Sequence, residues 1–178
     1  MFRQGTSFRH IAALAATGLA AVCMSSGAAA APPPKHLWAT VNICDTPAHQ
    51  NQMGVRASMP GNGTRQRMFM RFHAQSYNAT TKKWSDAKGI SVSGWLPVGS
   101  ARAKVRQGGY TFSFMAPNVG STFVLRGEVD FQWRERRRTK SGHRRTVIVR
   151  TLHANTKGEH PSEGADPVGY SSGTCEIR

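Results

Sequence analysis

The stretch Phe123-Val124-Leu125-Arg126-Gly127-Glu128-Val129-Asp130-Phe131-Gln132-Trp133 sets the fold class, because its apolar side chains recur at alternate positions. The apolar members are Phe123, Leu125, Val129, Phe131 and Trp133, and the polar side chains between them are Arg126, Glu128, Asp130 and Gln132. A period of two is typical of a β-strand with one buried face. The pattern therefore predicts a long strand with Trp133 in the core and with a solvated polar face.

Other segments with alternating or β-branched and aromatic residues predict further strands. In chain order these are residues 37–43, 53–59, 67–77, 95–98, 101–105, 110–114 and 147–149, and a last strand that contains Cys175 and Ile177. Residues 78–93 are polar around Trp84 and are expected to form a loop or a short edge pair. No window of ten residues shows a helical period with caps.

Turn residues separate these strands. Pro60-Gly61-Asn62-Gly63 predicts a tight turn with a hairpin-like reversal after the second strand, and Gly108-Gly109 is expected to separate two strands. Many short strands with turns between them favour an all-β protein. The expected fold is a single immunoglobulin-like β-sandwich of about seven to nine strands, built from residues 37–178.

The beginning of the chain predicts export. Residues 1–30 have a basic start, an apolar run without charges and an Ala28-Ala29-Ala30 end, which together indicate a signal peptide. Residues 31–36 then form a Pro-rich leader. The apolar run is too short for a transmembrane segment, so a secreted, extracellular protein is expected. The alternative is a lipid anchor at Cys23.

Two cysteines remain after the signal peptide, Cys44 and Cys175. In an oxidising compartment they are expected to form a disulfide bond. Closure of so long a loop would stabilise the fold by about 4–5 kcal/mol through the unfolded state. The bond requires the first and last strands to lie within about 7 Å of each other at these residues.

The charge balance indicates anionic partners. The chain has 24 Lys and Arg, nine Asp and Glu, and a net charge of +15. Such a balance favours a polyanion or an anionic cell-envelope surface as partner. The alternative is that the charge serves only solubility.

The most strongly charged segment lies between the long strand and the return strand at residues 147–149, with Ser141-Gly142 as a turn signal. It is expected at the projecting tip of a hairpin. Its candidate polyanion-binding residues are Arg134, Arg136, Arg137, Arg138, Lys140, Arg144 and Arg145. Guanidinium groups bind phosphate, sulfate and carboxylate in bidentate fashion. The alternative is a flexible, solvated loop that protects a sheet edge.

Residues that could support catalysis or metal binding show no recognisable spacing. Glu128 and Asp130 are expected to be surface residues, and His143, His153 and His160 are expected to be exposed in polar loops. No catalytic residue, metal site or cofactor is predicted. The chain has no specific nucleic-acid-binding motif.

Several short motifs resemble those of a family of uncharacterised secreted bacterial proteins with immunoglobulin-like or fibronectin type III-like β-sandwiches. They are Asn42-Ile43-Cys44-Asp45, Leu125-Arg126-Gly127, Phe131-Gln132-Trp133-Arg134, Gly164-Ala165-Asp166-Pro167 and Thr174-Cys175-Glu176-Ile177. The resemblance implies export, a β-sandwich and the terminal disulfide, but no activity.

Three functional hypotheses follow. The leading one is a non-enzymatic exported module that binds polyanions through the basic hairpin. The first alternative is a carbohydrate-binding domain that uses exposed Trp84 and Trp95. The second is a secreted hydrolase.

Overall fold

A computed structural model describes residues 34–89 and 91–178 of the chain. The described part contains strands and connecting segments, without helices. Its nine strands are β1 (Trp38–Thr46), β2 (His49–Pro60), β3 (Arg67–Asn78), β4 (Lys83–Asp86), β5 (Leu96–Ser100), β6 (Val105–Ser113), β7 (Phe123–Arg138), β8 (Arg144–Asn155) and β9 (Cys175–Ile177). The predicted signal peptide, Cys23 and residues 31–33 of the Pro-rich leader lie outside the described residues.

The strands form two antiparallel sheets. The first has the order β1-β2-β6. The second has six strands in the order β4-β3-β7-β8, with β5 also paired to β3 and β9 also paired to β7. The all-β class and the strand number predicted from the alternation are confirmed. Within residues 34–89 and 91–178 there is no helix that could span a membrane.

The core lies between the two sheets and combines side chains from both. The first sheet contributes Val41, Met53, Val55 and Phe112, and the second contributes Met70, Phe72, Phe131 and Trp133. Trp133 is only 2% exposed, as its phase within β7 predicted. The burial of these large apolar side chains stabilises the packing of one sheet against the other.

The disulfide between Cys44 and Cys175 is confirmed, with 5.4 Å between the two Cα atoms. It joins β1 of the first sheet to β9 of the second. This one bond therefore links the two sheets covalently, and its two cysteines lie near the start and near the end of the described chain.

The prediction of a hairpin-like reversal at Pro60-Gly61-Asn62-Gly63 is wrong. β2 pairs with β6, whereas β3 pairs with β4, β5 and β7, so the chain crosses here from one sheet to the other. The backbone N–H groups of Gly61, Asn62 and Gly63 bond to the carbonyl oxygens of Lys104 and Ala101. The connection thus packs against the turn before β6 instead of folding back on β2.

Two expectations about β6 are also wrong. Residues 101–104 form a turn rather than a strand, because the turn provides the carbonyl oxygens for the 61–63 segment. Gly108 and Gly109 do not separate two strands but pair with Ala57 and Arg56 inside a continuous β6. A Cβ atom at Gly108 would lie 3.0 Å from Val98 and 3.1 Å from Met70, so the lack of a side chain permits close packing there.

Candidate polyanion-binding groove

The basic segment lies in a long β-hairpin formed by β7 and β8. The strands remain paired from Arg134 opposite Ile148 to Arg138 opposite Arg144. At the tip, the Thr139 N–H donates to the His143 carbonyl oxygen at 2.7 Å. Six of the seven candidate residues therefore belong to paired strands, and Lys140 lies in the turn between them.

One side of the hairpin faces the start of β3 across an open groove of about 1030 Å³. We call it the arginine groove. Its lining consists of Thr64, Arg65, Gln66, Arg67, Phe69, Arg134, Glu135, Arg136, Arg138, Arg144 and Thr146. Six of these residues are arginines and one is a carboxylate, so the groove is strongly positive.

The arginine groove contains four of the seven residues that the sequence suggested, namely Arg134, Arg136, Arg138 and Arg144. The other three, Arg137, Lys140 and Arg145, do not line it. Arg137 instead contacts Glu135, with 3.2 Å between Nη2 and Oε2. For the residues on β7, the alternation of side chains explains this division, because residues 134, 136 and 138 share one face and Arg137 lies on the other.

Sequence reasoning missed the opposite wall of the groove, which is formed by Arg65 and Arg67. A signal was present in the sequence. The alternation predicted for residues 67–77 places Arg67 on the polar face of β3, as the structure shows with Arg67 exposed and Met68 buried. What the alternation does not provide is the register that sets Arg67 opposite Arg134.

Like charges face each other directly along the hairpin. Arg137 lies opposite Arg145, and Arg138 lies opposite Arg144. Such cross-strand pairs destabilise a sheet relative to neutral or opposite pairs. Of these four arginines, only Arg137 forms a salt bridge with a described residue, namely Glu135.

The polar face of β7 is not the solvated surface that the alternation predicted. Asp130 is only 4% exposed, and Gln132 is 7% exposed. The Asp130 carboxylate accepts hydrogen bonds from Arg71 Nη2 at 2.6 Å and from Arg71 Nε at 3.0 Å. His73 Nε2 lies 3.0 Å from the same oxygen, and His153 Nδ1 contacts the other oxygen. Side chains of β3 and β8 thus cover Asp130 from both sides.

Burial alone would raise the pKa of Asp130. The hydrogen bonds from Arg71, His73 and His153 outweigh burial and hold the pKa of the carboxyl below its ordinary value. Asp130 is consequently a buried, ionised anchor for Arg71. The expectation that Glu128 and Asp130 form plain surface is wrong for Asp130.

The histidine expectations are wrong in part. His153 is exposed but lies in β8 and contacts Asp130, so it does not belong to a polar loop. His160 stacks on Trp38, with 4.2 Å between the ring centroids. Burial, with a further contribution from the positive charge of Arg56, lowers the pKa of His160 against the opposing effect of Glu159.

Glu128, Asp130 and His153 are the residues that could hold a metal ion in the described part of the chain. Each offers a ligand atom, and these atoms lie within 4.8 Å of one another. Arg71 already neutralises the Asp130 carboxylate, however, and Gln75 donates to Glu128 at 2.9 Å. The cluster is therefore better suited to holding Arg71 in place than to binding a cation.

Trp84 and Trp95, the candidates for glycan stacking, are both half-buried and carry arginines over their rings. The Arg126 guanidinium carbon lies 4.5 Å from the Trp84 ring centroid. Over Trp95, the corresponding distances are 4.6 Å for Arg71 and 4.5 Å for Arg134. Trp95 thereby connects the Asp130 anchor to the inner end of the arginine groove.

Searches found no protein-family model that matches the chain and no curated protein sequence similar to it.

Proposed function

We propose that the protein is an exported, non-enzymatic β-sandwich module of the immunoglobulin-like type that binds a linear polyanion in the arginine groove. The observation that carries this proposal is the collection of six arginines around one groove with Glu135 as the single lining carboxylate. Charge of this density attracts anions and increases their rate of association.

The chemistry of the lining residues supports anion binding. A guanidinium group presents a planar fork of N–H donors that matches the oxygens of phosphate, sulfate and carboxylate. Five of the six groove arginines lie on paired strands and only Arg65 lies in a connecting segment, so most of these forks lose less conformational freedom on binding than they would on a loop. Neutralisation of opposed arginines such as Arg138 and Arg144 adds to the favourable free energy.

The shape of the groove favours a polymer over an isolated charged group. Arg134, Arg136 and Arg138 point to the same side of β7 and are spaced by about 6.8 Å, the rise of two strand residues. A chain that carries an anionic group on successive units can contact several of them at once. Each further contact releases counterions and makes affinity more salt-dependent.

The disulfide supports the exported location, because such bonds form and persist in oxidising compartments. The apolar run at residues 11–24 and the alanines that follow support a signal peptide. Two antiparallel sheets around a common core support the immunoglobulin-like assignment.

The proposal is tested by elution of the disulfide-bonded protein from immobilised heparin in a salt gradient. The triple variant Arg136→Ala, Arg138→Ala, Arg144→Ala is expected to elute at much lower salt than the wild type. The logarithm of the affinity should also fall less steeply with the logarithm of the salt concentration, in proportion to the lost contacts.

The matched control removes the same number of positive charges elsewhere, through Lys83→Ala, Lys88→Ala and Lys157→Ala. These lysines are exposed and do not line the arginine groove. The control is expected to elute close to the wild type. Equal shifts in the two triple variants would show that net charge alone causes retention and would refute the groove as the binding site.

A further inference from the structure

Two outward cross-strand pairs of β3 and β7 are complementary. Arg71 lies opposite Asp130 and forms an ion pair with it. Gln75 lies opposite Arg126 and accepts a hydrogen bond from its Nε at 2.8 Å. Cross-strand partners of this kind stabilise a sheet.

The outward pair at the groove end breaks this pattern, because Arg67 lies directly opposite Arg134. Both guanidinium groups lie over the ring of Phe69, at 5.5 Å and 4.2 Å from its centroid. Within the part of the chain that the structure describes, neither arginine forms a salt bridge. Two cations without a carboxylate partner on adjacent strands are destabilising, and a departure from local complementarity of this kind is typical of functional sites.

Arg134 is held in one orientation. Its Nε donates to Gln132 Oε1 at 2.8 Å, and Gln132 is itself buried. The guanidinium also lies over the rings of Phe69 and Trp95. Its terminal nitrogens form no hydrogen bond with the described residues, so they remain available to a ligand.

The surroundings of Arg134 disfavour its charged form when no anion is bound. Burial and then the positive charge of Arg71 lower the pKa of the Arg134 guanidinium. A half-buried cation near two other cations is stabilised when an anion takes the place of the lost hydration.

We propose that Arg67 and Arg134, with Phe69 beneath them, form a subsite for a single tetrahedral oxyanion, a phosphate or sulfate group, at the inner end of the arginine groove. This inference rests on the proposed polyanion-binding function and specifies which anionic groups the polymer carries. A tetrahedral anion presents oxygens in several directions, so it can accept from two guanidinium forks at once. A planar carboxylate has only two oxygens to share.

The test measures the affinity of the full disulfide-bonded protein for three probes at fixed ionic strength: a heparin oligosaccharide, poly-glutamate of matched charge, and inorganic phosphate. The wild type is expected to prefer heparin to poly-glutamate. Arg134→Lys keeps the positive charge but loses the planar fork, and it should reduce that preference about tenfold, as for a lost charge-assisted hydrogen bond.

Arg102→Lys is the matched control: Arg102 is exposed and does not line the arginine groove, so this variant should keep the preference. Because Arg134 is half-buried, Arg67→Lys serves as a second variant at an exposed position and should act like Arg134→Lys. Unchanged thermal unfolding of each variant verifies its fold.

The outcomes separate the two proposals. Loss of preference in Arg67→Lys and Arg134→Lys alone supports the subsite, and phosphate binding then shows whether a free anion suffices or the group must be part of a polymer. An unchanged preference in both variants, with polymer still bound, overturns the subsite and leaves the groove proposal standing. Failure of the wild type to bind either polymer overturns the proposed function itself.

Discussion

Arg71 holds the Asp130 carboxylate through two guanidinium nitrogens, with Nη2 at 2.6 Å and Nε at 3.0 Å from the same oxygen. The carboxylate is 5% exposed, whereas the arginine side chain is 36% exposed. The contact therefore combines a buried anion with a cation that reaches the surface. It also orients Arg71 toward Trp95 and so toward the groove.

We expect Asp130→Asn to lower the free energy of unfolding by about 2–3 kcal/mol at neutral pH, because a charged hydrogen-bonded partner of Arg71 is lost. The pKa of Asp130 is lowered in the folded state, so its stabilisation is present above the unfolded pKa of about 3.9 and is lost as pH falls through the lower folded value. Urea unfolding of wild type and variant between pH 2 and pH 7 would measure this.

Glu163→Gln is a suitable control, since Glu163 is exposed and forms no hydrogen bond or salt bridge with the described residues. It should leave the free energy of unfolding unchanged. A difference between wild type and Asp130→Asn that stays constant down to pH 2 would contradict the role of the ionised carboxylate.

Removal of the disulfide should destabilise the domain strongly. We expect the double variant Cys44→Ser, Cys175→Ser to lose about 4–5 kcal/mol of unfolding free energy, because the closed loop of 131 positions restricts the unfolded chain. Thermal unfolding of the double variant should match that of the wild type under reducing conditions. Equal stability of the oxidised wild type and the double variant would contradict this expectation.

Gly61 should not tolerate a side chain. A Cβ atom there would lie 1.8 Å from the carbonyl oxygen of Ala103, and backbone cannot yield as a flexible side chain can. We expect Gly61→Ala to cost about 2–3 kcal/mol of unfolding free energy. Gly164→Ala is the matched control, since no atom lies within 4 Å of the added carbon, and similar unfolding midpoints for the two variants would refute the prediction.

Trp95 and Trp84 should differ in their effect on polyanion binding. Trp95→Leu removes a ring that lies 4.5 Å from Arg134, so heparin affinity should fall about three- to tenfold as the guanidinium loses its cation–π contact. Trp84→Leu removes the partner of Arg126, which does not line the groove, and should leave the affinity unchanged. Salt-insensitive glycan binding that both substitutions abolish would instead favour a carbohydrate-binding domain.

The alternation of β7 predicted both the all-β class and the burial of Trp133, because a period of two assigns each side chain to a face. It could not predict the burial of Asp130, since a face is solvated or covered according to the neighbouring strands. Here Arg71 from β3 and His153 from β8 supply the cover. Burial of a charged residue thus depends on pairings between segments far apart in sequence.

The candidate site was predictable only in part, because it too depends on pairings between segments far apart in sequence. The flanking strand patterns and the Ser141-Gly142 turn signal indicated the hairpin, and four of its seven candidate residues line the groove. Arg65 and Arg67 could not be assigned to it, because their position depends on the register between β3 and β7. The misassigned turn at Ala101 had a tertiary cause as well, since its carbonyl oxygen accepts from the 61–63 segment.

The bond between Cys44 and Cys175 also affects how the domain would respond to proteases. Residues 140–145 are exposed and contain a lysine and two arginines, which are preferred cleavage sites of trypsin-like enzymes. A cut at this tip would divide the polypeptide between β7 and β8, yet the disulfide would still join the two fragments. The nicked domain would remain one covalent molecule, with both walls of the arginine groove attached to it.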